Sequence, residues 1–337
     1  MKLLVTGGAG YIGSVVAAQL LSRQHQVVVL DDLTTGHADA VPAGAELVRG
    51  NLRDDAEKVL AGGIDAVLHF AAKSLVGESV ANPALYWENN LGGTLALLEA
   101  MRRTSVSKIV FSSTAAVYGE PERTPITETD PARPTSPYGA SKLAVDTALA
   151  EHARLNRLGG ISLRYFNVAG AHGGPDGTWY GERHVTETHL IPNVLKIAAR
   201  HGAGAGDGTQ AGPDAVQIFG DDYPTPDGTC VRDYIHVTDL AQAHLLALEA
   251  CEPGAHRVYN LGDGTGFSVQ QVLDVCREAT GRDIPARVAP RRPGDPAVLV
   301  ASSERIKSEL GWAATRDLGT MVADAWAFAN AAPASAR

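Results

Sequence analysis

Tyr138 and Lys142 stand four residues apart, directly after Ser136-Pro137. Ser before Pro reads as a helix start, with Ser as the N-cap and Pro at the first helical position. Residues at i and i+4 share a helix face and lie roughly 5–6 Å apart. A phenol with a pKa of about 10 is a poor base at neutral pH. An adjacent ammonium stabilises the phenolate and brings that pKa toward the working range. Coincidence would produce one such spacing about as often as not in a chain with 9 tyrosines, and this is the only one here. Upstream, an apolar strand signal at Lys108–Ser112 ends in Ser112-Ser113-Thr114. Hydroxyls at the C-terminal end of a parallel strand point into the ligand crevice and can relay a proton. A Ser/Thr turn satisfying its own backbone is the other reading of the same residues.

A second constellation opens the chain. The strand signal Leu3–Thr6 runs into Gly7-Gly8-Ala9-Gly10-Tyr11-Ile12-Gly13 and then a helix. Glycines there let the backbone turn sharply and approach a pyrophosphate, whose charge sits at the helix N-terminus. The next strand ends in Asp31-Asp32, where an acidic residue accepts hydrogen bonds from an adenosine ribose and repels a 2′-phosphate. No Arg follows within the next turn, so NAD rather than NADP is expected.

The elements that must position these groups alternate. Apolar bursts recur at Leu3–Thr6, Gln26–Leu30, Glu46–Val48, Ala66–Phe70, Lys108–Ser112 and Ile161–Phe166, with helical periodicity at Ile12–Arg23 and Leu85–Arg103. Continuous apolar strands separated by helices predict an α/β, Rossmann-like, doubly wound parallel sheet. From Ala169 onward Gly/Pro/Asp/His-rich stretches at Ala171–His184, His201–Pro213 and Gly220–Thr229 interrupt shorter elements. Loops this long in a compact domain are usually functional. The expected division is a dinucleotide-binding domain over 1–170 and a smaller loop-rich α/β substrate domain over 171–330, with some elements returning to the first. A frayed tail is expected at 331–337.

Composition narrows the partners. Lys+Arg number 29 against 38 Asp+Glu, a net charge of −9 over 337 residues. That disfavours nucleic acid and anionic membrane as general partners, so an anionic ligand must be met by local arginines. Cys230, Cys251 and Cys276 make neither a disulfide framework nor a metal spacing. The 11 histidines show no metal-ligand spacing, and no metal is expected. The polar turn at Thr6 falls short of a signal peptide's apolar stretch, and no apolar run approaches a membrane span. A cytoplasmic protein is expected.

With these residues in place, the chain resembles the extended short-chain dehydrogenase/reductase family and, within it, the UDP-glucose 4-epimerases. The matching segments are Gly7–Gly13, His69-Phe70-Ala71-Ala72, Asn89-Asn90, Ser112–Gly119, Tyr138–Lys142, Leu163-Arg164-Tyr165-Phe166-Asn167, Val231–Val237 and Arg291-Arg292-Pro293-Gly294-Asp295. The resemblance implies that tightly held NAD takes hydride from C4 of a UDP-sugar while Tyr138 takes the hydroxyl proton. The 4-keto sugar then turns over and receives hydride on its other face. On the same warrant Lys142 tunes Tyr138 and holds the nicotinamide ribose, and Thr114 bridges the sugar hydroxyl.

The resemblance further assigns Gly7, Gly10, Tyr11, Ile12, Gly13, Asp31, Asp32, Phe70, Ala71, Ala72 and Ser112 to the cofactor. Asn90, Tyr165 and Phe166 would shape its nicotinamide pocket, and Asn51 and Leu52 would flank adenine. Ser74 stands where many relatives carry a cofactor-contacting Lys, with Lys73 just before it. Asn167, Arg232 and Arg292 would meet the diphosphate, whose oxygens match the planar Arg fork, and Asp295 a uridine ribose hydroxyl. Gln217, Phe219, His189 and Leu190 would line the uracil end, although His189 replaces an Asn of some relatives and also suits a surface helix. Leu299 would border the sugar's C2 substituent, or else be a strand residue facing away. The family's relatives pair as homodimers. Here apolar residues on more than one helical face, including Leu95, Leu97, Leu98, Leu143, Val145 and Leu149, agree with that.

Three other functions share parts of this pattern. A nucleotide-sugar 4,6-dehydratase needs an Asp-Glu pair as acid and base, where this chain has Ala115-Ala116. A UDP-sugar decarboxylase, or an epimerase of N-acetylhexosamines, pentoses or uronates, would differ only in substrate contacts. A non-catalytic NAD-sensing regulator would usually have lost the Tyr-Lys pair that this chain keeps.

Overall fold

The strand signals become one sheet. In the computed structural model, which describes residues 1–202, 215–292 and 294–331, β1 (Lys2–Thr6), β2 (Gln26–Asp31), β3 (Glu46–Arg49), β4 (Ala66–His69), β5 (Lys108–Thr114), β6 (Gly159–Tyr165) and β7 (His256–Leu261) form a seven-stranded sheet. Its order is β3-β2-β1-β4-β5-β6-β7, and every pairing is parallel. The expected α/β doubly wound architecture is what the chain adopts. The part of 203–213 and of 331–337 that the sequence reading singled out, beyond Ala331, lies outside the described residues, as does Pro293.

Alternate residues of each strand feed two cores. Leu3, Val5, Val27, Val29 and Leu68 pack with α1 (Tyr11–Ser22) and with a helix that returns from the second half, Val237–Glu249. Leu4, Val28, Leu30, Val67, Ile109 and Phe111 pack on the opposite side with α2 (Leu52–Leu60), α3 (Gly93–Thr104) and α4 (Pro137–Asn156). Fully burying one such side chain contributes roughly 1.5–3 kcal/mol. Because both faces are covered, the central strands carry continuous apolar runs, which is why they read as bursts.

A third core gathers Ile191, Val194 and Leu195 of α5 (Leu190–Gly202), Val216 and Ile218, Val272 and Leu273 of the helix Val269–Thr280, and Met321 and Val322 of the helix Leu318–Ala331. Three short sheets edge it. Val216–Phe219 pairs with Ala286–Ala289, Val231–Arg232 lies between Phe267–Ser268 and Val298–Leu299, and Asn167–Ala169 pairs with Tyr234–His236. Among the described residues no helix is long and apolar enough to cross a membrane.

Between β1 and β4 the strand order reverses. Crevices beyond the carboxyl ends of the strands at such a switch point are where open α/β sheets bind ligands. Thr6 pairs with His69 there, so the Gly7 turn and the Phe70–Ala71 turn meet.

Candidate active site

A cleft of about 1370 Å³ runs from that switch point across the ends of β5 and β6. A second chamber of about 420 Å³ adjoins it, sharing Asn167, His189, Arg232 and Arg292 with it.

The glycine loop forms one end. Gly7 has φ +72°, and a Cβ there would sit 2.6 Å from Ala71 N. A Cβ on Gly13 would sit 2.3 Å from Gly7 O. Only glycine allows α1 to start this close to both turns. The helix N-cap is Gly10, with no side-chain capping bond. Gly10, Tyr11, Ile12 and Gly13 line the cleft, so the orphan N–H groups of the first turn are open to an anion. Asp31 holds the loop from below, accepting Ala9 N on Oδ2 and Leu33 N on Oδ1, both at 2.9 Å. Burial raises its pKa. Asp32 stays exposed on the cleft wall with Asn51 and Leu52. This donor set, with a carboxylate at the end of β2, fits a dinucleotide.

Phe70, Ala71, Ala72, Lys73 and Ser74 continue the same wall. Asn90 does not line it. It is buried and bonds both the N and the O of Lys73, at 2.8 and 3.0 Å, so it shapes the pocket through the backbone of that turn.

Across the cleft, Ser136 caps α4 by accepting Gly139 N at 3.2 Å. Tyr138, Lys142, Ser112, Thr114, Tyr165 and Phe166 all line the cavity. Burial pushes the Tyr138 phenol above its ordinary value, and the Thr114 hydroxyl pulls it back. This departs from the lowered pKa that the helical spacing suggested. The reason is burial of the phenol, while the ammonium is engaged elsewhere: Lys142 Nζ donates to Ser112 O at 2.8 Å. Burial pushes Lys142 down to about 7, against the pull of Asp146 one turn on. Asp146 is itself paired with Arg164 at 2.8 Å, both nearly inaccessible. Ser112 Oγ bonds the Tyr165 hydroxyl.

At the far end Asn167, Arg232, Arg292, His189, Leu190, Gln217, Phe219 and Asp295 converge on the adjoining chamber. Arg292 lies 3.8 Å over the Phe219 ring, and Arg232 pairs with Asp295. Asn167 Nδ2 donates to Asp233 O at 3.0 Å. Leu299 lines the main cleft and also packs against the buried cluster of Val117, Tyr118 and Ile126.

The model of the NAD dependent epimerase/dehydratase family matches residues 3–262. The chain belongs to that family. A UDP-glucose 4-epimerase of Corynebacterium glutamicum is 55% identical over 333 residues, 98% of this chain and 96% of that one. A Streptomyces lividans UDP-glucose 4-epimerase is 52% identical, covering 98% and 97%. The crystal structure of a Stenotrophomonas maltophila UDP-glucose 4-epimerase, with bound NAD and formylated UDP-arabinopyranose, superposes with a TM-score of 0.90 at 40% identity and 98% coverage of both chains.

Within the family, the elimination chemistry of a dehydratase is disfavoured by the site itself. Ala115 and Ala116 line the cleft where an acid and a base would be needed. Sequence reasoning missed one group of cleft residues. The loop before α5 brings Glu182, His184, Glu187 and His189 together, and three of them, His184, Glu187 and His189, line the cleft. His189 is half exposed, with its Nδ1 bonded to Glu182. Counting His-to-His spacing alone hid the alternation with Glu.

Proposed function

We propose that this protein interconverts UDP-galactose and UDP-glucose by transient oxidation at sugar C4 through a 4-keto intermediate, with NAD tightly held. One observation carries the reading. A dinucleotide-type glycine turn, Tyr138, Thr114 and Lys142, and Arg232 and Arg292 all line one cleft, which the second chamber adjoins at the arginines.

Bound NAD supplies a hydride acceptor and donor at C4 and a positive charge that favours the Tyr138 phenolate. Tyr138 takes the proton of the 4-hydroxyl, and the Thr114 hydroxyl bridges the two oxygens. Lys142, held by Ser112 O, keeps positive charge on the ribose side of the phenol. The N-terminus of α1 holds the pyrophosphate of NAD, and Asp31 and Asp32 its adenosine ribose. Asn51 and Leu52 flank adenine, while Phe70 to Ser74, Tyr165 and Phe166 wall the nicotinamide end. Arg232 and Arg292 clamp the UDP diphosphate, with Asn167 beside them, and Asp295 meets the uridine ribose. Phe219, Gln217, His189 and Leu190 enclose uracil. Residues 1–170 thus serve chiefly the cofactor and 171–330 the nucleotide sugar, with Val237–Leu261 returning to the sheet.

The proposal includes a cytoplasmic homodimer. Cys230, Cys251 and Cys276 are free and buried, as a reducing compartment allows. Of the six residues that suggested a second apolar helical face, Leu97, Leu98, Val145 and Leu149 are buried within the chain. Leu95, however, is 42% exposed, with Trp87 at 40%, Val76 at 48% and Val80 at 64% in the same stretch. These are the residues a partner would cover.

The test is incubation of purified protein with UDP-galactose and, separately, UDP-glucose, adding no cofactor. Conversion in both directions is expected, with NAD released only on denaturation. Conversion in neither direction by protein that carries NAD would overturn the reading.

A further inference from the structure

The loop between Tyr180 and α5 carries Glu182, His184, Glu187 and His189, a Glu-x-His-x-x-Glu-x-His run. Each offers one nitrogen or oxygen atom, and those four atoms all lie within 4.8 Å of one another. The two histidines present the same nitrogen inward. Glu182 Oε1 is shared between them: it bonds His189 Nδ1 and lies 2.9 Å from His184 Nδ1. Glu187 sits on the other side, with Oε2 3.6 Å from His184 Nδ1 and Oε1 3.6 Å from His189 Nδ1. Both carboxylate side chains are nearly inaccessible, at 7% and 3%.

Two further facts show that hydrogen bonds alone leave the cluster incomplete. His184 Nδ1 is buried and makes no well-directed hydrogen bond, although Glu182 Oε1 lies 2.9 Å from it. Buried polar atoms left unpaired call for an explanation such as an ion. Two buried carboxylates also converge within a few ångströms, an arrangement stabilised by positive charge between them, which a bound cation or protonated imidazoles supply.

We propose that Glu182, His184, Glu187 and His189 bind one divalent transition-metal cation of the zinc class. Two imidazole nitrogens with two carboxylate oxygens is a borderline donor set. It suits zinc, cobalt or iron(II) and not calcium or magnesium, which take oxygen ligands. Two carboxylates and two neutral imidazoles also cancel the ion's charge. Bonds of about 2.0–2.2 Å in a tetrahedron place ligand atoms roughly 3.3–3.5 Å apart. The widest pair, at up to 4.8 Å, therefore contracts by as much as about 1.3–1.5 Å, a shift of the kind side-chain rotation supplies.

The site's place gives it a role. Arg183, between two of the ligands, bonds Asp39 at 2.6 and 3.0 Å, and its carbonyl pairs with His37 Nε2 at 2.9 Å. The loop therefore crosses from α5 to the turn that follows β2. Burial first, then Glu182 and Glu187, raise the pKa of the half-buried Tyr11 phenol at the start of α1. A metal here fixes the strap that closes the glycine-loop end of the cleft. It is a structural clamp, apart from the proton and hydride chemistry. The proposal goes beyond the expectation of no metal and does not depend on the sugar turned over.

Elemental analysis and cobalt spectroscopy test it. Chelator-treated, dialysed protein should take up one Zn²⁺ per chain, and Co²⁺ should give the intense visible bands of a tetrahedral site, bleached by added Zn²⁺. Outer-shell partners alone are worth roughly 10- to 100-fold in metal affinity. His184→Ala and Glu187→Ala should each weaken Zn²⁺ binding by at least that factor, while His152→Ala on α4 should leave it unchanged. The wild-type melting temperature should rise with Zn²⁺ and that of His184→Ala should not. Less than stoichiometric uptake by the wild type, or undiminished uptake by either cluster variant, overturns the proposal. The cluster would then be a histidinium–carboxylate network, as in a metal-free chain whose Glu182 and Glu187 push His184 up to about 10.

Discussion

Lys142 reaches 30 residues back along the chain to donate its Nζ hydrogen bond to Ser112 O, at 2.8 Å. The i,i+4 spacing aligns Lys142 with Tyr138, but the tertiary fold decides what the ammonium holds. It is anchored to the end of β5, the strand that also carries Thr114. The pair and the relay hydroxyl are therefore one unit, fixed by a backbone oxygen that no substitution of side chains can remove.

That anchoring has a stability consequence. Burial depresses Lys142 from its ordinary 10.5 to about 7. Above both values the side chain is neutral folded and unfolded, and there is no penalty. As pH falls through that window the unfolded chain takes up a proton and the folded one does not, so the folded state loses stability. Below about 7 the loss is complete and constant. Lys142→Met, stripped of cofactor, should therefore be more stable than wild type at pH 7. With the lost Ser112 bond deducted, the gap is about 2–4 kcal/mol. By pH 10 it should have nearly closed. Denaturant unfolding across this range checks it, and a gap independent of pH would count against the buried ammonium.

In the proposed reaction Tyr138 carries the proton step. Tyr138→Phe should lose roughly two to four orders of magnitude in turnover while retaining NAD and the wild-type melting temperature. Steady-state kinetics with UDP-galactose decides it, and near wild-type turnover would move the base elsewhere. The ring packs edge-on against buried Tyr86, at 6.3 Å between centroids, and Phe preserves that contact.

The sheet was legible because its central strands carry continuous apolar runs, as strands covered on both faces do, and even the edge strand Glu46–Arg49 keeps Leu47-Val48 at its centre. The seventh strand was not. His256–Leu261 starts with His and Arg, and only its last three residues are buried. It has a single neighbour, β6, so half its length reads as surface. At the site, spacing along one element was readable: the glycine turn, and Tyr138 with Lys142. Contacts between elements were not. Asn90 gripping the backbone of Lys73, Asp146 pairing with Arg164, and the Glu182–His189 cluster have no period in the sequence, because loops and cross-element bonds impose none.

Homodimer formation should depend on the exposed apolar stretch before and within α3. Trp87 and Leu95 are 40% and 42% exposed, and each would lose contact area if replaced by a charge. Wild type should scatter light at twice the chain mass at micromolar concentration. Trp87→Glu with Leu95→Glu should run at the chain mass without loss of secondary structure, since neither residue belongs to the buried core. A wild type already at monomer mass removes the dimer from the proposal.

If the proposed function holds, substrate range is expected to turn on Leu299. It sits on a two-residue strand in parallel register with Val231–Arg232, where Arg232 is its partner, and it lines the cleft that holds Tyr138 and Thr114. It also packs against the buried cluster of Val117, Tyr118 and Ile126, which restricts its movement. An N-acetyl group at sugar C2 must fit beside a side chain with little room to retreat. Overpacking such a site typically costs ~1–3 kcal/mol, roughly a 5- to 150-fold preference for the unsubstituted sugar. UDP-galactose and UDP-glucose are therefore expected as the principal substrates, with weak turnover of N-acetylated analogues. Leu299→Ser should raise kcat/KM for UDP-N-acetylglucosamine over UDP-glucose by about the same factor, because it opens the volume of an isobutyl group at the cleft wall. Removing a half-buried Leu also costs stability, about 1–3 kcal/mol, so the ratio of the two substrates, measured on the same preparation, is the quantity to read. If that ratio stays at the wild-type value, or wild type already turns over both sugars equally, Leu299 packs the wall without selecting the substrate.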